Sequence, residues 1–338
     1  MGVLPDTYLR ELIRAGAIRA EWAPTPDQVQ PASLDLRLSD KAYRIRASFL
    51  PGMQRTVLDM LQSPGLIMHE LNLAETGTVL ETGCVYLVPL QEALDLPDNL
   101  CGRANPKSST GRIDVFTRLI TDRAHVFEDI PNGYSGPLYL EIYPRTFSIL
   151  ARPGDRLAQL RLRETGRQPL TEKTVSIDLH AAKGRPVGWR ARRHASVIDL
   201  RKLGQHEISE YWEPVYASNG QIVLNPEEFY ILASQENISI KAHQAAEMAP
   251  IAPELGEFRA HYAGFFDPGF GLNAGGSRAV LEVRSRDVPF ILEHGQAIAK
   301  LIYEPMLSEP EKVYGAQGSH YQGQGLKLSK HFSEKINS

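Results

Sequence analysis

The residues best suited to chemistry form a polar cluster at positions 106–112, which reads Pro-Lys-Ser-Ser-Thr-Gly-Arg. Two cations and two hydroxyls in this segment can donate hydrogen bonds to phosphate oxygens; they belong to Lys107, Arg112, Ser108 and Ser109. Arg112 follows Ser108 by about one helical turn, which suits the start of a helix, where free N–H groups favour anions. The cluster predicts a phosphate site, and the alternative is a capped helix without a ligand.

Two glutamates stand in similar apolar sequences, Glu282 in Leu-Glu-Val and Glu141 in Leu-Glu-Ile. A carboxylate at such a position keeps the alternation of a strand when it points away from the core, so a solvated strand face is the simpler interpretation. Ahead of Glu282, the segment 267–271 reads Asp-Pro-Gly-Phe-Gly. It predicts a tight turn, because Pro presets φ and Gly accepts positive φ.

The C-terminal segment 314–325 is rich in Gly and Gln and carries Tyr314 and Tyr321 with few charges. Such a segment can fold over a bound ligand, because tyrosine rings stack and glycines permit closure. The alternative is a frayed chain end, which is common at termini.

The whole chain has 338 residues, 42% hydrophobic and 23% charged, with a formal net charge of −3. A phosphate ligand would therefore be bound by a local site and not by a basic surface, and no nucleic-acid partner is expected. No apolar run reaches membrane-spanning length, and the N-terminus shows no signal-peptide pattern. Cys84 and Cys101 lack zinc-knuckle spacing and cannot form a disulfide framework. These features predict a cytoplasmic protein with no membrane partner and no structural zinc.

The elements that must position these residues are mostly short strands. One amphipathic helix is predicted at 5–17 from the helical spacing of its apolar residues. From residue 31 onward, short apolar stretches such as 85–88 and 138–143 alternate with Pro and Gly. Many short strands at close turn spacing favour a β-barrel or sandwich over a sheet with crossover helices.

The second half of the sequence repeats the first in three blocks that keep their order and a nearly constant offset. Apolar stretches that begin at 79, 140 and 149 have counterparts that begin at 222, 281 and 291. Matched blocks in one order indicate a duplicated domain. We place the first copy at 1–165 and the second at 196–338. The basic stretch 166–195 between them is predicted to be a linker, with a phosphate-facing strip as the alternative.

Four segments, taken together in this order, resemble the dCTP deaminases of the trimeric dUTPase superfamily. They are 31–38 (Pro-Ala-Ser-Leu-Asp-Leu-Arg-Leu), the cluster at 107–112, the stretch 263–282 from Ala to the Leu-Glu pair, and 320–324 (His-Tyr-Gln-Gly-Gln). The usual enzyme carries one set of these motifs in a shorter chain, so this sequence is similar to a longer, duplicated bacterial form. The resemblance covers nearly the whole chain.

The resemblance implies a mainly β fold with two tandem dUTPase-like domains, each a distorted β-barrel or jelly roll with a few short helices. It implies active sites between neighbouring domains and a homo-oligomer, since three single-copy domains form a ring in relatives. The implied reaction is hydrolytic deamination of dCTP to dUTP and ammonia, with Mg²⁺ bound through the substrate triphosphate. Zinc deaminases use an H-x-E and P-C-x-x-C pair that this sequence lacks, so no catalytic zinc is expected.

The same resemblance implies roles for individual residues. Glu282 or Glu141 is the implied general base that activates the attacking water, supported by Ser108 and Arg112. A single carboxylate can act as base and then as acid for the leaving ammonia if burial raises its pKa towards neutrality. The remaining implied substrate-binding residues are Lys107 and Ser109 at the triphosphate, Ala263 and Asp267 near the turn, and Tyr314, His320, Tyr321 and Gln324 in a lid over the nucleotide.

Neither copy carries the whole motif set. The first copy has Ser-Ser-x-x-Arg but reads Ile-Pro-Asn-Gly at 130–133, and the second copy keeps the Asp-Pro turn but lacks Ser-Ser-x-x-Arg. Lys107 stands where the family usually has Arg, which loses bidentate geometry and keeps the charge. Two arrangements remain open: a composite site in which Ser108 and Arg112 face Glu282, or a first-copy site that uses Glu141.

Two other functions also remain open. A dUTP pyrophosphatase, or a bifunctional enzyme that forms dUMP, would use the same fold. The Gly-x-Gly-Gly-Phe-Gly motif of the pyrophosphatases is absent, and Tyr-x-Gly-Gln stands at 321–324, which favours deamination. An inactive nucleotide-binding regulatory protein is the third alternative, because each copy has lost motifs.

Overall fold

The computed structural model describes residues 1–74, 76–166, 171–251, 258–261, 264–272, 275–285, 287–316, 321 and 323–333. Over these residues the chain is built mainly from strands, and the predicted fold class is confirmed. The described helices are short: α1 Asp6–Arg14, α2 Val57–Leu61, α3 Ser108–Gly111, α4 Ile208–Tyr211 and a 3₁₀ turn at Pro26–Gln28. None of them has the length and apolarity needed to cross a membrane.

The first copy folds into two main sheets and one small sheet. Its strands are β1 Ile18–Ala20, β2 Leu34–Leu36, β3 Lys41–Ile45, β4 Ile67–Asn72, β5 Thr78–Leu80, β6 Val85–Asp95, β7 Leu100–Pro106, β8 Val115–Thr121, β9 Asp129–Ile130, β10 Ser135–Pro144, β11 Ile149–Ala151 and β12 Ala158–Glu164. The main sheets have the orders β4-β3-β6-β10-β8, with β1 against β6, and β2-β12-β7-β9. Strand β5 pairs with β11.

The second copy has the same plan. Its strands are β13 Thr171–Ser176, β14 Gly188–Ala191, β15 Ile198–Asp199, β16 Trp212–Val215, β17 Gln221–Leu224, β18 Tyr230–Ile238, β19 Gln244–Pro250, β20 Phe258–His261, β21 Phe265–Phe266, β22 Ser277–Ser285, β23 Phe290–Glu293 and β24 Ala297–Pro305. Strand β15 differs from the others because it pairs with a strand of the first copy. They form sheets in the orders β16-β14-β18-β22-β20 and β13-β24-β19-β21, and a hairpin β17-β23.

Equivalent strands pair in equivalent ways in the two copies. Strand β10 lies between β6 and β8 in the first copy, as β22 lies between β18 and β20 in the second. Glu141 on β10 is opposite Arg118 on β8, and Glu282 on β22 is opposite His261 on β20. The duplication predicted from the sequence blocks is therefore visible in the strand pairing.

The stretch 166–195, predicted to be a linker, contributes two strands to the second copy. Strand β13 runs antiparallel to β24, with Thr171 opposite Tyr303, and β14 pairs with β16 and β18. Strand β13 is at the edge of its sheet, and its first four residues are exposed. An edge strand with exposed side chains has no apolar alternation, which is why the sequence pattern did not reveal it.

The two copies exchange segments across the seam between them. Val3 bridges to Arg163 of β12 and to Met306, which follows β24. Strand β15 adds in parallel to β11 of the first copy. In the tail, defined here as the residues after β24, Leu328 and Phe332 pack into a hydrophobic core that contains residues of both copies. The copies thus form one joined unit, and residues from both can meet at the seam.

Candidate active site

A cavity of about 860 Å³ lies at the seam between the two copies. This volume is within the usual range of ligand pockets, roughly 300–1,000 Å³. Residues of α3 and its flanks form one wall, and residues of β22, the Asp-Pro-Gly turn and the tail form the other. The predicted site residues that line it are Lys107, Ser108, Ser109, Arg112, Asp267, Glu282, Tyr314, Tyr321 and Gln324.

The polar cluster forms its wall of the cavity where the chain turns from β7 into β8. Lys107 is extended, with φ −68° and ψ 148°, and α3 begins at Ser108. The ammonium of Lys107 forms an ion pair with buried Asp35 on β2. Ser109 is buried, and its carbonyl oxygen accepts a hydrogen bond from the hydroxyl of Ser329 at 2.8 Å. The cations and hydroxyls predicted to bind phosphate are therefore held on one fixed wall.

Glu282 on β22 is an acidic group that the second copy contributes to the cavity. It is 5% exposed, and burial raises its pKa to about 8 because the charged form loses hydration. The positive charge of Arg112 opposes this shift, and the negative charge of Asp114 adds to it. A carboxyl group with a pKa near neutrality can both accept and release a proton at physiological pH.

Arg112 connects α3 to the tail. Its guanidinium donates to the carbonyl oxygen of Lys327 and to Oε1 of Gln324, both at 3.0 Å. The guanidinium carbon also lies 4.0 Å from the centroid of the Tyr321 ring. Gln324 in turn donates from Nε2 to the carbonyl oxygen of Arg278 on β22 at 3.0 Å. Of the tail residues predicted to form a lid, Gln324 therefore contacts both copies, and Tyr321 contacts Arg112 of the first.

Arg161 of the first copy holds the turn at 267–271. It donates to Oδ1 of Asp267 at 3.3 Å and to the carbonyl oxygen of Ala246 at 2.9 Å. Burial raises the pKa of Asp267, and the charge of Arg161 opposes that shift. At Gly269, φ is +96° and a Cβ atom would lie 2.8 Å from the amide nitrogen of Tyr314. Glycine at this position therefore lets Tyr314 lie directly against the turn.

Glu141 lies outside this cavity. It is 1% exposed on β10, and its Oε1 accepts hydrogen bonds from Nε and Nη2 of Arg118 at 2.8 and 2.5 Å. Arg118 also lies over the ring of Phe127, 3.9 Å from its centroid. The structure thus brings Glu282 together with the polar cluster and leaves Glu141 in an ion pair within the first copy. Two further predicted residues, Ala263 and His320, lie outside the described residues.

Sequence reasoning missed several charged residues at the site. Lys330 of the tail lines the cavity, and both burial and the charge of Lys107 lower its pKa. Arg161 reaches Asp267 across the seam, and Arg284 reaches across it in the opposite direction. The arginines belong to no motif, because their roles depend on how the copies pack. For Lys330 the only signal was a cation shortly after the predicted lid.

Two carboxylates at or next to this cavity form ion pairs with cations. Asp35 is paired with Lys107, and Asp267 with Arg161. Among the residues that the structure describes, no group of three or more His, Cys, Asp and Glu side chains is arranged to hold a metal ion. The described carboxylates therefore do not form a protein cage for a metal.

Both halves of the chain match one family of known proteins. Residues 1–166 match the model of the 2'-deoxycytidine 5'-triphosphate deaminase N-terminal domain, and residues 158–332 match that of the C-terminal domain. A solved relative is the crystal structure of 2'-deoxycytidine 5'-triphosphate deaminase from Agrobacterium tumefaciens. It is 49% identical with a TM-score of 0.87, over 92% of this chain and 99% of that chain.

Two curated relatives carry the name dCTP deaminase, dUMP-forming. The Parafrankia sp. protein is 33% identical over 167 residues, which is 47% of this chain and 75% of the relative. The Streptomyces griseus protein is 31% identical over 161 residues, 47% of this chain and 78% of the relative. Each relative thus aligns with just under half of this duplicated chain. The two family models together span residues 1–332, and the chain therefore belongs to the 2'-deoxycytidine 5'-triphosphate deaminase family of enzymes.

Proposed function

We propose that the chain hydrolyses the amino group of dCTP, releasing dUTP and ammonia, in the composite cavity between its two copies. The observation that carries this proposal is that Glu282 of the second copy lines the same cavity as Ser108 and Arg112 of the first. Glu141, the equivalent glutamate of the first copy, lies outside the cavity, and the second copy lacks the Ser-Ser-x-x-Arg motif. Membership of the deaminase family supports dCTP as the substrate.

Glu282 is proposed to act as base and then as acid. Its carboxylate accepts a proton from water as the water oxygen bonds to C4 of cytosine, and it passes that proton to N3. It then transfers the proton of the new C4 hydroxyl to the amino nitrogen, so that the C–N bond breaks, ammonia leaves and the C4 carbonyl of uracil forms. A pKa of about 8 supports both steps, since neither protonation state of Glu282 is strongly disfavoured near neutral pH.

Arg112 and Ser108 are proposed to hold the water and the pyrimidine beside Glu282. The guanidinium of Arg112 is fixed by its two bonds to the tail, and its charge favours the ionised form of Glu282. The hydroxyl of Ser108 can donate one hydrogen bond and accept others, which suits a group that orients a water molecule. Neither residue exchanges a proton in this scheme.

The triphosphate is proposed to lie where Lys107 and Ser109 of the first copy come close to Lys330 of the tail. The substrate would enter as the Mg²⁺ complex of dCTP, with the metal carried on the phosphate oxygens. Because Asp35 already takes up much of the charge of Lys107, Lys330 supplies further positive charge for the phosphates.

Two glutamate variants separate the composite site from a first-copy site. Glu282→Gln should lower kcat for dCTP by about 10²- to 10⁴-fold, the usual contribution of a positioned acid–base group. Glu141→Gln removes a carboxylate outside the cavity and should retain turnover when assayed well below its melting temperature. Loss of ammonia release in Glu141→Gln, with full activity in Glu282→Gln, would refute the composite site.

A second candidate reaction is favoured by the relatives named dCTP deaminase, dUMP-forming. In that case the chain would also hydrolyse the dUTP it forms to dUMP and pyrophosphate. Ammonia and pyrophosphate should be measured in one reaction started with dCTP. Ammonia alone indicates a deaminase that forms dUTP, and equal amounts of both indicate a bifunctional enzyme. Binding of dCTP without either product would support the inactive regulatory alternative.

Assembly and location are also part of the proposal. A homo-oligomer is what the resemblance to the trimeric dUTPase superfamily implies. A cytoplasmic location is supported by Cys84 and Cys101, which are both free thiols. Light scattering of the full chain measures its mass in solution, and the mass of a single chain would contradict the oligomer.

A further inference from the structure

A buried ion pair joins the two copies next to the site, between Asp114 and Arg284. Asp114 is 0% exposed and Arg284 is 4% exposed. The guanidinium donates from Nε to Oδ1 of Asp114 at 3.3 Å and from Nη2 to Oδ2. A guanidinium that binds both oxygens of a carboxylate fixes orientation as well as distance.

Each partner lies two residues from a site residue. Arg284 follows Glu282 on β22, and residues two apart on a strand point to the same face. Asp114 follows Arg112 where the chain leaves α3 for β8, with φ +53° at Asp114. The charges of the two segments are therefore complementary. The first copy presents Arg112 and then Asp114, and the second copy presents Glu282 and then Arg284. A slip of β22 by two residues would place like charges opposite each other.

Neighbouring groups form hydrogen bonds with both members of this pair. The hydroxyl of Thr146 donates to Oδ2 of Asp114 at 2.5 Å and accepts from Nη2 of Arg284 at 2.6 Å. Nη1 of Arg284 donates to the carbonyl oxygen of Glu227. A buried pair of this kind adds little net stability over an apolar pair, but either charge left alone is costly. The arrangement therefore favours one relative position of the two copies.

We propose that Asp114 and Arg284 are a positioning pair that sets β22 against the segment after α3 and so holds Glu282 beside Arg112. Neither member lines the cavity, so the pair acts through Glu282 and Arg112 and does not touch the substrate. This inference rests on the proposed function of Glu282 as the base.

The pair also sets the electrostatic field at Glu282. The charge of Asp114 raises the pKa of Glu282, and Arg284 offsets that charge as long as the pair is intact. Among the described residues, Arg112 and Asp114 of the first copy act on Glu282 through their charges. Arg278 and Arg284 are on the same strand, His261 is the backbone partner on β20, and Tyr321 of the tail lines the same cavity. Changes at Asp114 and at Arg284 should therefore move the pKa of Glu282 in opposite directions.

Two neutral variants of the full chain test this. Asp114→Asn leaves the positive charge of Arg284 and should lower the pKa of Glu282, whereas Arg284→Met leaves the negative charge of Asp114 and should raise it. Asparagine tolerates positive φ, so Asp114→Asn should fold even if Arg284→Met does not. The pKa is measured by ¹³C NMR of labelled glutamate carboxyls, with the signal of Glu282 assigned by its loss in Glu282→Gln.

Turnover of dCTP gives a second readout. Each single variant should lower kcat by about 10- to 100-fold and change KM by less than about threefold, because a small misplacement of reacting groups costs rate. The double variant should lose no more than the worse single variant, because both residues act through one pair. If the two substitutions acted independently on the structure, the kcat loss of the double variant would instead be the product of the two single losses.

Arg163→Met is the matched control. It removes another ion pair across the same seam, with Glu304 at 3.1 Å, and should leave both kcat and the pKa of Glu282 unchanged. The proposal is overturned if the two test variants shift that pKa in one direction or not at all, or if their kcat losses multiply. A wild-type chain that binds dCTP and releases no ammonia would instead remove the proposed function, and the NMR titration would still decide on the pair.

Discussion

Arg112 of the first copy lies over the ring of Tyr321 in the tail, with 4.0 Å between the guanidinium carbon and the ring centroid. The hydroxyl of Tyr321 accepts a hydrogen bond from the amide of Lys330 at 3.2 Å. One tyrosine thus connects Arg112 to the backbone of Lys330, on the side of the cavity proposed for the phosphates. Both its ring face and its hydroxyl contribute to the closed position of the tail.

Truncation of this tyrosine should weaken nucleotide binding more than turnover. Tyr321→Leu removes the stacked ring and should raise KM for dCTP by about 3- to 10-fold, the usual size of a partly buried cation–π contact. Tyr321→Phe keeps the ring and loses only the hydroxyl, so its KM should lie closer to that of the wild type. Steady-state kinetics decide: equal KM values in all three proteins would show that the ring does not hold the tail.

The rate should follow the ionisation of Glu282. Only the carboxylate form accepts a proton from water, so kcat/KM should rise about tenfold per pH unit below pH 8 and level off above it. Glu128 is the matched control, because burial also raises its pKa to about 8 but it lies outside the cavity. Glu128→Gln should keep the same profile. If kcat/KM of the wild type instead levelled off near pH 4.5, the ordinary pKa of glutamate, the proposal of a buried base with a raised pKa would be contradicted.

Glu282 should also make the folded chain less stable as pH rises. Its pKa is about 8 when folded and 4.5 ordinarily, so between these values the folded state holds a proton that the unfolded state has released. The free energy of unfolding therefore falls with pH across this window. At pH 9, the free energy of unfolding of Glu282→Gln should exceed that of the wild type by on the order of a few kcal/mol. This difference should vanish towards pH 4.5. Urea melts at several pH values measure this, and a difference independent of pH would count against it.

The residue types of the site were predictable from sequence, but the choice between the two glutamates was not. Glu282 and Glu141 stand in the same apolar context on equivalent strands. What separates them is the neighbouring strand, where Arg118 binds Glu141 and His261 is opposite Glu282. That difference becomes visible only when the strands are paired.

The contacts between the two copies likewise could not be predicted from sequence motifs. The basic composition of 166–195 predicts a linker, and the strand β13 within it is polar and exposed and so carries no apolar pattern. Arg161 and Arg284 each serve the opposite copy, and no spacing within one copy signals a partner in the other. Short-range patterns specify strands and turns, whereas the packing of two copies decides which charges meet.

Removal of the tail lysine should discriminate between nucleotides by their phosphates. Lys330→Met should raise the dissociation constant of dCTP by about 10-fold or more, as expected for a charged hydrogen bond to phosphate, and change that of dCMP much less. Lys300→Met is the control, because Lys300 is exposed and pairs with Glu172 at 3.2 Å, away from the cavity. Calorimetric titration with both nucleotides is the measurement. An equal loss for dCTP and dCMP would mean that Lys330 supports the tail and not the phosphates.

His331 should make tail docking sensitive to acid. It is 3% exposed, with Nδ1 2.9 Å from the hydroxyl of Ser329, and burial lowers its pKa to about 3, helped by the charges of Lys330 and His206. In an undocked tail the group returns to its ordinary pKa of 6.5. Docking is therefore at full strength above pH 6.5 and weakens by about 1.4 kcal/mol per pH unit as the pH falls from there towards 3.

A neutral replacement at this position tests that dependence. His331→Gln stays uncharged at every pH, and its side-chain amide can still donate a hydrogen bond to the hydroxyl oxygen of Ser329, so its docking should not weaken in acid. The ratio of the wild-type KM for dCTP to that of the variant should rise by roughly 25-fold between pH 7 and pH 5. Taking the ratio removes the titration of the substrate and of Glu282, because both are common to the two proteins. A ratio that stays constant would show that the tail remains docked when His331 is protonated, and that the histidine is no part of the closure.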